Sequence, residues 1–338
     1  MNFENVSIAS VRHLDAPQRI TSAELDAQLK PTMERLGVKP GMLEGLAGIT
    51  ARRFWNPGVQ PSEVASEAAE LAIEEAGIDR DRLGILINSS VCRDYIEPST
   101  ACLVHGNLGL SNHCMNFDVG NACIAFVNGM DVVGNMIELG QIEYGIVVNG
   151  ESSRYVVERT VERLQDESVD QQTFRDEFAA LTLGSGAVAM VLAHRDRAPD
   201  APRYLGGIML AATEHNRLCL GQVDQMKTDT RRLLLAGLEV SSRAWDLGKE
   251  LLGWSNDDVA EFALHQVSQV HTTQLLMTLG IEPEKAYLIY PEFGNIGPAG
   301  VPTVLSKARD EGRMQKGNRV VLAAIGSGIN CAAAGVIW

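Results

Sequence analysis

The sequence predicts an α/β protein made of two related halves. Apolar stretches of strand length alternate with longer segments of helical periodicity, a pattern typical of a sheet covered by helices on both faces. Four glycines of the first half have counterparts in the second half at nearly constant spacing. The pairs are Gly77 and Gly253, Gly120 and Gly294, Gly140 and Gly312, and Gly150 and Gly326, with offsets of 176, 174, 172 and 176 residues. A repeat of this length indicates duplication of a whole domain.

The elements around these glycines have the same order in both halves. In each half a predicted helix ends at the first glycine, and a strand follows at 83–89 in the first half and at 261–265 in the second. We therefore expect a mostly parallel sheet, with residues 1–200 forming the N-terminal half and residues 201–338 the C-terminal half. In such sheets the reacting groups gather at the carboxyl ends of the strands.

Two segments need separate interpretation. The acidic segment 155–178 has apolar residues at helical spacing, which predicts an amphipathic helix inserted in the first half as a cap on the core. The alternative is that this segment forms a wall of a substrate channel. The uncharged stretch 320–338 is long enough for a membrane span, but glycines interrupt its middle, so we expect two buried strands and no span.

Composition indicates an intracellular globular protein. The chain has 338 residues, of which 45% are hydrophobic and 21% are charged. Its formal charge of -14, without a basic run, argues against nucleic acid as a partner. The N-terminus has no signal-peptide pattern and the six cysteines form no Cys-x-x-Cys pair, so we expect a cytoplasmic protein without disulfides. No metal-ligand cluster, P-loop or dinucleotide motif is present, so we expect no cofactor.

Cys123 is the strongest candidate for a reactive residue. It follows a predicted apolar strand, 115–119, and a turn at Gly120, and it begins a predicted buried helix, 123–139. The dipole of that helix favours a thiolate, and the free amides of the first turn can hold an oxyanion. The alternative is a small cysteine packed in the core, which is the expectation for the other five cysteines.

The second half supplies polar partners at equivalent strand ends. His265 ends one strand and opens a predicted helix, 266–279, whose positive end would keep the imidazole neutral. Asn295 follows the next strand and offers an uncharged donor, and Ser327 follows the strand after that, between two glycines. The other six histidines are expected to be packing residues. Strand ends of two pseudo-symmetric halves can converge on one pocket.

These motifs resemble the thiolase superfamily in its ketoacyl synthase III-like branch. The resemblance covers nearly the whole chain: Asn121 to Cys123, the turn Gly294–Pro298 around Asn295, and the turn Gly326–Gly328 follow the family's order and spacing. Within that branch, residues 93–100 and 295–302 look like those of the condensing enzymes of long-chain olefin biosynthesis. The resemblance implies the thiolase fold, in which duplicated βαβαβαββ halves form a five-layered αβαβα sandwich.

The resemblance also implies an activity and a role for each site residue. Such an enzyme joins two long-chain acyl-CoA molecules head to head, without decarboxylation, into a 2-alkyl-3-ketoacyl-CoA. Cys123 would carry the first acyl group, with the backbone amides of Cys123 and Ser327 as its oxyanion hole. His265 and Asn295 would hold the enolate of the second acyl-CoA. Downstream enzymes of the olefin pathway are implied as partners.

The expected base is Glu97, and the reason is a departure from other thiolases. Those enzymes place a second cysteine beside the C-terminal glycine turn, whereas here the nearest one, Cys331, lies beyond it. Glu97 precedes Pro98, which holds its backbone extended, and lies on a loop after a central strand. In the resembling enzymes the matching glutamate reaches the active site of the other subunit in a homodimer. The alternative is a solvated loop carboxylate.

Three other functions remain open from the sequence. A decarboxylative ketoacyl synthase III would use Cys123, His265 and Asn295 with malonyl carrier protein and would not need Glu97. An acyltransferase or thioesterase could act through the same acyl-cysteine. A non-catalytic subunit that only shapes a binding pocket belongs to a different class, and the presence of all three residues argues against it.

Overall fold

The computed structural model describes residues 2–338, in which strands and helices alternate. The strands are β1 Val6–Asp15, β2 Gln18–Thr21, β3 Ala51–Phe54, β4 Leu83–Asn88, β5 Met115–Asp118, β6 Tyr144–Glu151, β7 Gly186–His194, β8 Arg203–Ala211, β9 Cys219–Gly221, β10 Met226–Thr228, β11 Val259–Leu264, β12 Arg319–Gly326 and β13 Asn330–Ile337. The α-helices are α1 Ser22–Leu36, α2 Met42–Ala47, α3 Pro61–Ala76, α4 Thr100–Asn107, α5 Ala125–Glu138, α6 Arg154–Leu164, α7 Gln171–Glu177, α8 Thr230–Leu252, α9 Gln269–Leu279, α10 Tyr290–Phe293 and α11 Gly300–Asp310.

One large mixed sheet organises the molecule. Its strand order is β11-β12-β13-β8-β1-β7-β6-β4-β5, and the halves join where Ser7 of β1 lies opposite Arg203 of β8. The expectation of a mostly parallel sheet is wrong, because parallel pairing is confined to β5-β4-β6 and β11-β12. The other neighbours are antiparallel, an arrangement that needs no crossover helix; β12 and β13, for example, are joined by a short turn.

The five expected layers are present, because the two halves of this continuous sheet count as two layers, with helices between them and on both outer faces. Helices α3 and α4 cover the outer face of the first half of the sheet, and α8 and α9 cover the outer face of the second. Helices α5 and α11 lie between the halves, where α5 contacts β6 and β8 while α11 contacts β1 and β11. The largest apolar cluster fills this central layer and includes Phe126, Val133, Val304 and Leu305. Burial of this cluster therefore holds the two halves together.

The repeat is visible in the geometry. Gly77 ends α3 and Gly253 ends α8, both with left-handed backbone at φ of 62° and 66°. The second half lacks one strand of the first. Residues 286–289 lie at the position equivalent to β5 but form no strand. Their amides are bonded by side chains instead: the Glu261 carboxylate accepts from Tyr287 and the Gln266 amide oxygen accepts from Ile289. The boundary between halves near residue 200 stays a prediction, which the strand order supports.

The segment 155–178 forms two helices rather than one. Helices α6 and α7 are connected by an ion pair between Arg163 and Glu177, and their apolar faces share a buried cluster with α1 that includes Leu29, Val161 and Phe174. This packing supports the cap interpretation, which stays a prediction. It also contacts the β9–β10 hairpin, where Gln225 donates a hydrogen bond to Glu177.

The uncharged C-terminal stretch forms strands β12 and β13, separated by the turn at residues 327–329, as expected. Both strands are hydrogen-bonded inside the sheet and are largely buried. Within residues 2–338, no helix combines the length and the apolar character needed to cross a bilayer.

Gly150, the next-to-last residue of β6, tests the packing between layers. A Cβ atom at Gly150 would lie 2.2 Å from the carbonyl oxygen of Pro61 at the start of α3. We expect Gly150→Ala to lower the free energy of unfolding by about 1–3 kcal/mol, because the helix must shift. Gly106→Ala in α4 is the matched control, since no heavy atom lies within 4 Å of its Cβ position. Guanidinium denaturation measures both, and equal midpoints would contradict this view of the contact.

Candidate active site

Cys123 lies on a tight turn between β5 and α5. The turn is a short 3-10 segment, Ala122–Ile124, and α5 begins at Ala125. Ala122 has a φ of 44°, a left-handed conformation that is uncommon for a residue with a side chain. Backbone of this kind persists where surrounding structure imposes it and is concentrated at functional sites.

The second half imposes that geometry from the end of β12. A Cβ atom at Gly326 would lie 3.1 Å from the amide nitrogen of Cys123 and 3.2 Å from the carbonyl oxygen of Asn121, so a glycine permits this approach. The side chain of Asn330 also donates to Oδ1 of Asn121 at 3.0 Å. Ser327, the residue after Gly326, is thereby brought beside the turn Ala122–Ile124, which carries the candidate nucleophile Cys123 and is called the nucleophile turn below. Among residues 2–338, no backbone carbonyl accepts from the amides of Cys123 or Ser327, so both can serve a ligand.

The thiol of Cys123 is neutral in this structure. Although the side chain is only partly buried, protein atoms surround it, and this dehydration raises its pKa to about 12, with smaller effects from Cys219 and Glu151. The expectation that a helix dipole favours the thiolate is therefore wrong for this state. The physical reason is that desolvation dominates, and α5 begins two residues after the cysteine.

His265 follows β11 and is neutral as well. Its side chain is buried at 2% exposure, and burial, together with the neighbouring His271, lowers its pKa to about 3. The neutral ring was expected, but the helix proposed to cause it begins at Gln269, capped by Ser268. Burial replaces the helix dipole as the cause. Within the described chain the buried Nδ1 has no hydrogen-bond partner, and a Cβ atom at Gly300 would lie 3.3 Å from it.

Asn295 is held by its backbone and by its side chain. Its amide donates to the carbonyl of Thr182, and its carbonyl accepts from the amide of Gly184, both at 2.9 Å. Its side-chain Oδ1 accepts from the amide of Gly297 at 3.0 Å. Because the oxygen is occupied in this way, the side-chain nitrogen is the group free to donate. The residues Gly297–Ala299 contact the nucleophile turn, so Asn295 belongs to the same site.

One group at the site was missed from the sequence. Glu151 is buried at the end of β6, and its charge acts on the thiol of Cys123. His271 lies next to His265, and burial lowers its pKa to about 4, in keeping with the packing role expected for it. The position of Glu151 directly after Gly150, at the carboxyl end of a central strand, was a signal that could have identified it.

Within one chain, Glu97 is not part of the site formed around Cys123, His265 and Asn295. It is exposed on the loop between β4 and α4, and no residue of the described chain bonds its carboxylate. Apolar side chains surround it on the surface: Tyr95 is 59% and Ile96 is 95% exposed. The nearby edge strand β5 also exposes Met115 and Phe117. An open edge strand beside exposed apolar residues is typical of a surface that another chain covers.

A small apolar cavity of about 20 Å³ lies behind the site, between α8, α9 and the strands β11 to β13. Its lining includes Trp245, Phe262, Leu275, Ala324 and Ile325. Ile325 belongs to β12 and directly precedes Gly326, so the cavity begins close to the nucleophile turn.

Two protein-family models match the chain. The model described as 3-oxoacyl-[acyl-carrier-protein (ACP)] synthase III matches residues 117–203, and the model of its C-terminal part matches residues 250–338. Together with the five-layered fold and the grouping of a cysteine, a histidine and an asparagine, these matches define an acyltransferase of the thiolase superfamily.

Full-length relatives identify the family within this class. The chain is 51% identical to an acyl-CoA:acyl-CoA alkyltransferase of Xanthomonas campestris pv. campestris over 338 residues, and 35% identical to one of Shewanella oneidensis over 350 residues; both alignments cover all of each chain. Cerulenin-bound OleA from Xanthomonas superposes with a TM-score of 0.98 at 50% identity, covering all of this chain and 98% of that one. A second OleA structure, solved with lauric acid and lauroyl-CoA, gives the same TM-score over 99% of this chain. The chain belongs to the OleA family of acyl-CoA:acyl-CoA alkyltransferases.

The buried His265 makes stability depend on pH. Its folded pKa of about 3 lies below the ordinary value of 6.5, so the unfolded chain binds the proton and stability falls as pH drops below 6.5. We expect the wild type to lose about 2 kcal/mol more than His265→Asn between pH 6.5 and pH 5. Denaturant unfolding at both pH values measures this difference, and identical losses would show that the ring is hydrated.

Proposed function

We propose that this protein condenses two long-chain acyl-CoA molecules head to head, without decarboxylation, to a 2-alkyl-3-ketoacyl-CoA. The full-length 51% identity to an acyl-CoA:acyl-CoA alkyltransferase is the observation that carries this proposal. The site residues support it. Solved variants of the Xanthomonas enzyme have a substituted cysteine, glutamate and histidine, each numbered 20 higher than Cys123, Glu97 and His265.

In the first half-reaction, Cys123 Sγ attacks the thioester carbonyl of the first acyl-CoA. The amides of Cys123 and Ser327, which have no backbone acceptor within the described chain, stabilise the oxyanion. The tetrahedral intermediate collapses with cleavage of the C–S bond to CoA, and the proton of the Cys123 thiol leaves on the CoA thiol. The product is an acyl-cysteine.

In the second half-reaction, Glu97 of the other subunit removes a proton from the α-carbon of the second acyl-CoA. The side-chain nitrogen of Asn295 and the neutral ring of His265 hold the enolate oxygen by hydrogen bonds. Neutral groups suit this task because they polarise the carbonyl without protonating the carbanion. The α-carbon then attacks the acyl-cysteine carbonyl, the bond to Sγ breaks, and the proton that Glu97 took passes to Sγ, which restores the Cys123 thiol and the Glu97 carboxylate.

We infer a homodimer because a single chain leaves Glu97 in solvent. A two-fold pairing through β5 would cover its open edge and the exposed side chains of Tyr95, Ile96 and Phe117. It would also bring the loop of one chain to its partner. The exposed apolar residues support this interface, since they would be buried in it. A carboxylate that enters the desolvated pocket of the partner also becomes a stronger base.

The names of the full-length relatives support acyl-CoA molecules as substrates. The apolar cavity lined by residues from Trp245 to Ile325 has a volume of about 20 Å³, enough for one water molecule, and does not bear on the acyl chain. A role in long-chain olefin biosynthesis, in lipid metabolism of the cytoplasm, belongs to the same proposal. The six free cysteines are consistent with a reducing compartment.

Incubation with a long-chain acyl-CoA as the sole substrate tests the reaction. We expect an acyl adduct on the intact protein and a 2-alkyl-3-ketoacyl-CoA in solution, both detected by mass spectrometry. Cys123→Ala should give neither, because the nucleophile is absent. A full adduct on the alanine variant would refute the assignment of Cys123, and a requirement for malonyl carrier protein would establish the decarboxylative alternative.

Removal of Glu97 should separate the half-reactions. We expect Glu97→Ala to acylate Cys123 normally and to lose condensation by roughly two to four orders of magnitude, the usual effect of losing a general base. A purified heterodimer of Glu97→Ala and Cys123→Ala chains should recover about half of the wild-type activity per dimer, because one of its two sites is complete. A monomeric active enzyme in sedimentation, or a heterodimer without activity, would contradict the shared site.

A further inference from the structure

A buried carboxylate connects the site to the loop that bears Glu97. Glu151 ends β6, only 4% exposed, and no step of the proposed reaction uses it. Its own backbone is fixed because Trp55 Nε1 donates to its carbonyl oxygen at 2.9 Å. Both carboxylate oxygens are therefore presented from a rigid position at the carboxyl end of a central strand.

The two oxygens bind two consecutive amides of the loop. Oε1 accepts from the amide of Val91 at 2.7 Å, and Oε2 accepts from the amide of Cys92 at 3.2 Å. A side chain that accepts from successive amides fixes the direction of the backbone as well as its distance. These two hydrogen bonds, called the clamp below, lie shortly after the end of β4, and Cys92 is five residues before Glu97.

The other side of the Glu151 carboxyl group faces the site. A Cβ atom at Gly297 would lie 3.7 Å from the carboxyl carbon, so the group packs against the turn that holds Asn295. Its negative charge also acts on the thiol of Cys123. Burial raises the pKa of Glu151, while the two amide bonds oppose this shift.

The remaining contacts of the loop indicate why this clamp matters. Asp94 is bonded to the Ser62 and Thr100 hydroxyls on the outer side of the chain. Beyond Asp94, Ile96, Glu97 and Pro98 are exposed. The path of the loop toward Glu97 is thus set by two anchors, of which Glu151 is the one in contact with the active site.

We propose that Glu151 is a positioning residue that aims the Glu97 loop into the active site of the partner subunit. This inference rests on the proposed function, because it needs Glu97 to act in trans. In each chain, the carboxylate that packs on one site would thereby direct the base that serves the other.

The test uses Glu151→Gln in the full-length dimer. A glutamine has one acceptor oxygen, so one loop amide meets an NH2 group instead, and a misplaced base costs on the order of 10- to 100-fold in condensation rate. Acylation of Cys123 should stay at the wild-type level. Glu261→Gln is the matched control, since Glu261 is equally buried and also accepts a backbone amide, at a place away from the site. It should leave both half-reactions unchanged.

A heterodimer decides whether Glu151 acts through the loop or on its own site. Pairing a Glu151→Gln chain with a Cys123→Ala chain leaves one intact nucleophile served by an intact loop, so about half of the wild-type activity per dimer should return. An inactive heterodimer, or loss of acylation in Glu151→Gln, would overturn the proposal. The heterodimer of Glu97→Ala and Cys123→Ala chains is measured in parallel. If it has no condensation activity, action of Glu97 in trans is refuted. If it is active while the heterodimer with Glu151→Gln is inactive, only the role of Glu151 is refuted.

Glu151→Asp extends the test to a variant that keeps the charge. Its carboxylate is one methylene too short to reach both amides, so we expect the same separation of acylation from condensation. Wild-type condensation in Glu151→Asp would show that charge rather than reach matters, which would also overturn the proposal. This variant provides the decisive measurement if Glu151→Gln fails to fold.

Discussion

The active site depends on one backbone contact between the halves of the chain. The end of β12 lies so close to the nucleophile turn that a Cβ atom at Gly326 would be 3.1 Å from the amide of Cys123. This contact brings the residue before Ser327 against the turn that carries Cys123, where Ala122 has a left-handed backbone conformation. In the proposed mechanism the oxyanion hole therefore needs an amide from each half. The large apolar layer formed by α5 and α11 is what holds the contact together.

Dehydration sets the chemistry of this site more than any charge does. Burial keeps the Cys123 thiol protonated and the His265 ring neutral, so the resting pocket contains no strong nucleophile and no imidazolium. In the proposed reaction, such dehydration would favour condensation of an acyl-cysteine over its hydrolysis. The base is kept apart, on an exposed loop, so it reaches the pocket from the partner chain in the proposed dimer.

The positions of the candidate site residues could be predicted from the sequence, whereas their surroundings could not. The repeated glycines and the residue types after each strand located Cys123, His265 and Asn295, because strand ends of duplicated halves must converge. Strand direction was wrong for much of the sheet, since apolar runs look alike in parallel and antiparallel strands. The start of α9 was misplaced although its signal is local, since Ser268 caps the helix by accepting from the amide of His271. The contact between Glu151 and Val91 was missed because it joins residues far apart in the chain.

The duplicated Gly-Asn turns show how one ancestral position acquired two tasks. Gly120 and Gly294 are equivalent in the repeat, and an asparagine follows each of them. In the first half Asn121 is fully engaged in structural bonds, accepting from Asn330 and donating to Asn128. In the second half Asn295 has its oxygen occupied and its nitrogen free. In the proposed mechanism, this symmetric pair of turns has thus diverged into a frame for the nucleophile and a donor for the substrate, so exchanging the two segments would move both functions to the wrong half.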